Sequence, residues 1–349
     1  MYTWVYWHIE QGHGPPTLFI TLSCAEYYWP DIRRLMEDRI RLTGIDEYKN
    51  NNNKSEILST KAEYMKSVNH YSIVVQEYFI TRVKDWMESF AKEVLGVTNY
   101  FVRFEFAKGR GEIHAHILAI ADNSDVFLAA YNSVDANQKL DIISTYAQTV
   151  LGLTSDHPEI DMSITTAYCP QDDKAELLSK PPSVKNKALR KSPASTRLSN
   201  VGDHHQDKIA LCNSSQMHKC GSYCMKYSSR SKDKKSRYCR AGCGYEKTSG
   251  CCDTPGFQLQ DYNSIRKDDK GTKKLLLHRN SDRMIQTSLK TLQSWRSNCD
   301  VQLILYDSDP RNPDLSELAK VTDYVVSYAC KGNCTHEAER QALLDIVYR

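Results

Sequence analysis

The sequence predicts an α+β protein with a small metal-held unit inserted in its second half. Three observations carry that expectation. Residues 97–121, VTNYFVRFEFAKGRGEIHAHILAIA, read as two aromatic and β-branched strands around a turn at Gly109 to Gly111. Residues 55–97 place apolar side chains at helical spacing, with Val74, Tyr78, Val83, Trp86, Phe90 and Val94 sharing one broad face. From Ser155 to about Asp269 both periods fail, and Pro, Ser, Lys, Gly and Cys dominate.

Taken in order, GPPTLFITLSC (14–24) reads as a turn and then a buried strand built on Leu18, Phe19, Ile20 and Leu22. A helix follows in WPDIRRLMEDRIRLTG, with Pro30 in its first turn and Gly44 at its end. KNNNNK (49–54) is a loop, and the helical stretch after it reads as two helices broken near Asn69. The hairpin comes next, then more helix from about Ser124 to Leu151. Beyond the aperiodic segment a helix is expected in RMIQTSLKTLQSWRSN, a strand in DVQLILY (300–306), and a helix from about Leu315 to Lys331 closed by Gly332. Three units result: 1–163, carrying the hairpin; 164–270, a basic insertion with a Cys/His cluster; and 271–349, the closing strand and helix. No internal repeat is present.

Composition narrows the function. The chain has 349 residues, 40% hydrophobic and 26% charged, and no apolar run nears the ~18 residues of a membrane span, so no membrane association is expected. The first residues, MYTWVYWHIEQGHGPP, lack the pattern of a secretory signal, so the twelve cysteines are expected in a reducing compartment and read as metal ligands before disulfides. The absence of a Gly-x4-Gly-Lys-Ser/Thr loop argues against an ATPase within this chain. A net charge of +3 makes no global argument for nucleic acid, but the positive charge is uneven. KPPSVKNKALRKSPASTR (180–197) holds Lys187, Arg190 and Lys191 with no acid, and SSRSKDKKSR (228–237) holds Lys234 and Lys235. Such runs are either solvated loops or phosphate contacts.

Three constellations carry chemistry. In a strand, residues two apart share a face, so His114 and His116 present two imidazoles together, and Glu105 on the partner strand can add a carboxylate. With eleven histidines in the chain a His-x-His pair is unremarkable by itself; the third donor gives it weight. Two imidazoles and one carboxylate suit Mg2+ or Mn2+ holding a phosphate, or a hydrolytic zinc. Among three Tyr-x3-Tyr pairs, only Tyr324 and Tyr328 fall on an expected helix, in VTDYVVSYACKGN, where Lys331 joins them on one side. Finally, Cys220 and Cys224, with Cys239 and Cys243, form two Cys-x3-Cys pairs behind His218, a ligand set for a structural Zn2+. His218, Cys251 and Cys252 compete for places among its four ligands.

The order of these motifs resembles a known family. GPPTLFITLSCAEYYWPDI, LGVTNYFVRFEFAKGRGEIHAHILA, the His/Cys cluster, WRSNCDVQLIL and DYVVSYACKGN follow one another as in the Rep nuclease of Helitron transposases, within the HUH endonuclease superfamily. The cysteine cluster and SYACKGN look most like the Helentron-type branch. The resemblance implies a palm with a central antiparallel sheet flanked by helices, His114 and His116 as the metal-binding pair, and Glu105 at the acidic position before it. It implies Tyr324 and Tyr328 as catalytic tyrosines, Lys331 as the basic residue after them, and Thr21 and Ser23 in a first motif.

The activity so implied is metal-dependent nicking and transfer of single-stranded DNA at transposon ends through a 5′-phosphotyrosine, in the nucleus. Family members continue into a helicase, which is expected on the full-length protein and is absent from this chain, so the sequence reads as an excised nuclease domain or a helicase-less remnant. The alternatives are a rolling-circle replication initiator, a non-catalytic nucleic-acid-binding remnant, and a metallohydrolase that activates water.

Overall fold

A computed structural model describes residues 5, 7–9, 11–43, 61–106, 113–159, 192–218, 225–227, 237–239, 261–267, 273–281, 283–311, 313–314 and 316–320. Strand β1 (Leu18–Ser23) forms where the apolar run predicts it. Helix α1 (Pro30–Thr43) starts on the expected proline, whose missing N–H is not needed at a first helical position. Helices α2 (Lys61–His70) and α3 (Ser72–Trp86) part at Tyr71, close to the expected break. The chain of α3 continues through a π-turn, Met87–Ala91, and a last turn, Lys92–Leu95. It stops at Gly96, whose φ of +70° is the left-handed cap that glycine adopts without a Cβ penalty.

The hairpin follows as β2 (Val97–Phe106) and β3 (Ile113–Ala121). The helix expected over 124–151 is two helices, α4 (Ser124–Asn132) and α5 (Ala136–Thr149), because the Asp135 carboxylate accepts the Asn137 N–H at 3.0 Å and starts a new helix. After β4 (Leu153–Thr154) comes α6 (His204–Leu211), in the stretch where no periodicity is legible. Its sequence, HHQDKIAL, buries only Ile209 and Leu211, too short a stripe to register as a period. Residues 192–218 nonetheless add Ala194, Leu211 and Cys212 to the main core. Short pairs β5 (Met225–Tyr227) with β6 (Arg237–Cys239), and β7 (Ser264–Lys267) with β8 (Lys273–Leu276), lead to β9 (Thr287–Ser288). Helix α7 (Leu289–Trp295) is shorter than the helix expected in RMIQTSLKTLQSWRSN: Met284 bridges Met217, and Thr287–Ser288 pairs with β4, so backbone pairing claims the first half. Strand β10 (Cys299–Leu303) closes the sheet.

The main sheet has the order β10-β1-β3-β2, antiparallel throughout. Its two faces differ in kind. One face sends Leu18, Ile20 and Leu22 of β1, Ala115 and Ile117 of β3, and Val301 of β10 into a core shared with Ile32, Met36, Phe79, Val83 and Leu292 of the helices. Each fully buried aliphatic side chain there stabilises the fold by about 1.5–3 kcal/mol. Trp295 meets Trp29 and Phe79 edge to face in that core, and the Arg82 guanidinium lies 4.3 Å from the Trp29 ring centroid. The opposite face is apolar at one end only, where Val5, Phe19, Leu118, Ile304, Tyr306 and Leu318 form a second cluster. Its other end is polar, with Thr21, Glu105, His114 and His116 partly exposed. Among the described residues no helix is long and apolar enough to cross a membrane.

Candidate active site on the open face of the sheet

The polar end of this face is built by register. Ile113, Ala115 and Ile117 alternate into the core, which turns His114 and His116 to the other side of β3. Across the β2–β3 ladder Glu105 stands opposite His114 and Arg103 opposite His116. Across the β1–β3 ladder Ser23 stands opposite His114 and Thr21 opposite His116. A carboxylate, a guanidinium, two hydroxyls and two imidazoles therefore occupy two adjacent rows of three strands.

Hydrogen bonds fix the rings. His116 Nε2 lies 3.2 Å from Glu105 Oε2, with side chains 12% and 19% exposed, so the pair is reachable from solvent but sheltered. Nδ1 of the same ring lies 3.1 Å from Thr21 Oγ1, and His114 Nδ1 lies 2.8 Å from Ser23 Oγ. Phe19 stacks on His116 with planes 10° apart and centroids at 5.9 Å, which ties the ring to the second apolar cluster. With each Nδ1 on a hydroxyl, Nε2 is the nitrogen that would ligate a metal.

Asp300 of β10 continues the His116 row, opposite Thr21. The residue keeps part of its surface, yet burial of its carboxyl pushes the group up to about 6, against a hydrogen bond from Gln302 Nε2 and the nearby Lys274. Sequence reading did not single out Asp300, Arg103 or Phe19. The signal was the two-residue alternation of β1 and β10, which becomes informative once their register against β3 is known.

The donor set of Glu105, His114 and His116 fits a hard or borderline divalent ion. Glu105 and His116 already meet. Among the described residues no three His, Cys, Asp or Glu side chains close into one cluster, so an ion held by all three has to draw His114 toward that pair.

Other predicted site residues stand apart from this face or outside the described residues. Tyr324, Tyr328 and Lys331 lie outside them, as do Cys220, Cys224, Cys243, Lys187, Arg190, Lys191, Lys234 and Lys235. His218 is described: its N–H donates to the Arg283 carbonyl at 2.8 Å, where Met217 bridges Met284. Cys239 is described in its backbone, at the end of β6, paired with Met225.

An antiparallel sheet that presents a histidine pair and a carboxylate on one face, backed by helices on the other, defines an α+β protein with a candidate metal site. Residues 6–119 match the family of the Helitron helicase-like domain at N-terminus, so the chain is related to Helitron proteins. That match takes in Thr21, Ser23, Glu105, His114 and His116, and it associates the chain with rolling-circle transposition and with nucleic acid. No curated protein and no solved structure matches the chain.

Proposed function

We propose that the chain is a metal-dependent HUH nuclease that nicks single-stranded DNA and transfers the strand through a 5′-phosphotyrosine, in rolling-circle transposition of nuclear DNA. The observation that carries this reading is the meeting of Glu105 with His116, beside His114, on the open face of a sheet whose central strands lie in a Helitron-like segment. Glu105, His114 and His116 hold Mg2+ or Mn2+, and the ion, when bound, polarises the scissile phosphate.

Tyr324 and Tyr328 are the nucleophiles in this reading. Leu318 supports it: this side chain is fully buried against the cluster of Phe19 and Leu118 on the histidine face, and Tyr324 follows six residues later in the chain. A free phenol has a pKa of ~10 and must lose its proton to attack. The phenolate oxygen then forms the new bond to phosphorus, the bond to the 3′ oxygen breaks, and that oxygen takes a proton and leaves as a 3′-OH. Lys331 steadies the phosphate or the phenolate. Because the phosphodiester count is unchanged, reversal rejoins strands, and two tyrosines hold two DNA ends in succession.

The Cys/His segment is read as a structural Zn2+ unit on His218, Cys220, Cys224, Cys239 and Cys243, four of which suffice. Supporting it, the β5–β6 register sets Cys239 opposite Met225, the residue after Cys224. Basic residues Lys187, Arg190, Lys191, Lys234 and Lys235 contact DNA phosphates in the same reading.

The test is incubation with labelled single-stranded DNA and Mn2+, followed by a denaturing gel, for wild type, Tyr324→Phe, Tyr328→Phe and the double variant. A covalent adduct that disappears in the double variant and on chelation is the expected result. Cleavage without an adduct, unchanged in the double variant, would overturn the tyrosine mechanism in favour of metal-activated water.

A further inference from the structure

The chain ahead of β1 makes a helical turn. Val5, Trp7, His8 and Ile9 are helical, and the N–H groups of Gln11 and His13 donate to the carbonyls of Trp7 and His8 at 3.0 and 2.9 Å. Gly12, at φ of +77°, ends the turn in the left-handed conformation. Positions four apart share a helix face, so Val5 and Ile9 enter the second apolar cluster together, and Val5 is fully buried there. Trp7, midway between them, turns to the other side and is 51% exposed.

A single exposed apolar side chain is ordinary on a folded surface. Trp7 differs in two respects. Its ring is held: it meets His8 edge to face, with centroids 4.7 Å apart and planes at 75°, and lies tilted against His13 at 6.3 Å, while the two imidazoles pack at 5.4 Å. Part of the indole thus rests on a pair of rings, and the remainder is presented to solvent in a fixed orientation. Its place is also set. Phe19 belongs to the cluster that Val5 and Ile9 enter and stacks on His116, so one aromatic layer joins the turn to the histidine pair. Leu318, six residues before Tyr324 in the chain, packs into the same cluster.

We propose that Trp7 is a stacking platform for a nucleobase of single-stranded DNA, a few nucleotides from the phosphate to be cut. An indole presents a flat apolar ring that any unstacked base can cover, whatever its sequence. The class of partner rests on the nuclease reading and on the nucleic-acid association of a family whose match takes in Trp7. Because the contact is to a base and displaces no counterion from a phosphate, it adds affinity without adding salt dependence.

The test measures binding of a labelled single-stranded oligonucleotide to the full chain by anisotropy over a series of salt concentrations, without divalent ions. It compares wild type, Trp7→Phe, Trp7→Ala and a control, Ile73→Ala, at an exposed position of α3. Each protein is also titrated with a strand of the same length in which abasic sites replace the bases. Trp7→Ala is expected to bind the base-bearing strand at least about fivefold more weakly than wild type, with the wild-type slope of log affinity against log salt. Trp7→Phe, which keeps a ring, should retain most of the affinity, the control all of it, and on the abasic strand wild type and Trp7→Ala should bind alike. Equal affinity of Trp7→Ala and wild type for the base-bearing strand overturns the platform, and so does an equal loss on the abasic strand. A loss as large in Trp7→Phe as in Trp7→Ala, with a lowered unfolding midpoint in both, makes the residue structural and overturns it too. A wild type that binds no single-stranded DNA overturns the nuclease reading along with it. Base-dependent binding with no covalent adduct keeps the platform and sinks the tyrosine mechanism alone.

Discussion

The Ser23 hydroxyl lies 2.8 Å from Nδ1 of His114, and one row along the same ladder Thr21 meets Nδ1 of His116 at 3.1 Å. These contacts give the first sequence motif a physical role: β1 orients the imidazoles that β3 supplies. Partners of this kind set which ring nitrogen is available to a metal, and their loss typically weakens affinity about 10–100-fold. Ser23→Ala and Thr21→Val should each reduce Mn2+ affinity by at least about tenfold in direct titration. Thr21→Ser, which keeps the hydroxyl, should restore it. Unchanged affinity in both variants, with wild type binding Mn2+, would remove the orienting role.

In the proposed metal site Glu105 would contribute differently, as a donor rather than a support. Its Oε2 is already 3.2 Å from His116 Nε2, so Glu105→Gln keeps the shape and removes the charge that a hard cation favours. The expected outcome is weaker Mg2+ binding than in wild type with the same unfolding midpoint. A midpoint that falls while affinity holds would make Glu105 a structural partner of His116 and nothing more.

The site is also tied to the far end of the chain. Trp295 donates its indole N–H to the Ser23 carbonyl at 2.8 Å, and both groups are buried. Trp295→Phe keeps a large ring in the core but strands that carbonyl, at a cost of about 1–3 kcal/mol in denaturant unfolding. Since Ser23 orients His114, metal affinity should fall as well. A variant as stable as wild type would show that the carbonyl finds another donor.

Arg296 follows immediately, with φ of +67° at the end of α7, and its guanidinium reaches Asp207 Oδ2 at 2.5 Å and the Pro193 carbonyl at 2.5 Å. Their side chains are 3% and 8% exposed, so this is a buried pair that fastens residues 192–211 to the core. Asp207→Ala leaves a buried cation with no carboxylate and should destabilise the protein by about 3–5 kcal/mol. Asp207→Ala combined with Arg296→Met should cost less than Asp207→Ala alone. The reverse order in unfolding experiments would refute the account.

Local patterning made most of the candidate site legible, while long-range pairing did not. Alternation in EIHAHILAI showed which face His114 and His116 share, and the hairpin around Gly109 to Gly111 showed that Glu105 returns to them. Thr21 and Ser23 were visible only as members of a motif, because their role depends on β1 lying beside β3, a contact across 95 residues for Thr21 and His116. The same holds for Asp300 and Arg103, whose meaning lies in what faces them. Helix α6 is not legible because eight residues with two buried side chains carry too little period, and the helix before β10 is shorter than its sequence suggests because MIQTS pairs as strand with distant partners.

His157 supplies a pH-dependent term that belongs to the fold rather than to the site. The buried ring lies with Nε2 2.9 Å from Asn213 Oδ1, and its Nδ1 accepts the Glu159 N–H at 3.2 Å. An accepting Nδ1 carries no proton, so Nε2 is the donor to Asn213 and the neutral ring fits both partners. Protonation would set a new N–H against the Glu159 N–H. Burial accordingly lowers this histidine from its ordinary value of 6.5, with Asn213 and Glu159 opposing. A depressed folded value means the unfolded chain takes up the proton first, so this stability is present above pH 6.5 and is lost as pH falls through the folded value. Denaturant unfolding of wild type should therefore show stability falling from pH 7.5 to pH 5, and His157→Gln, which binds no proton, should show a shallower fall. Parallel acid limbs in the two proteins would place the proton uptake on another group.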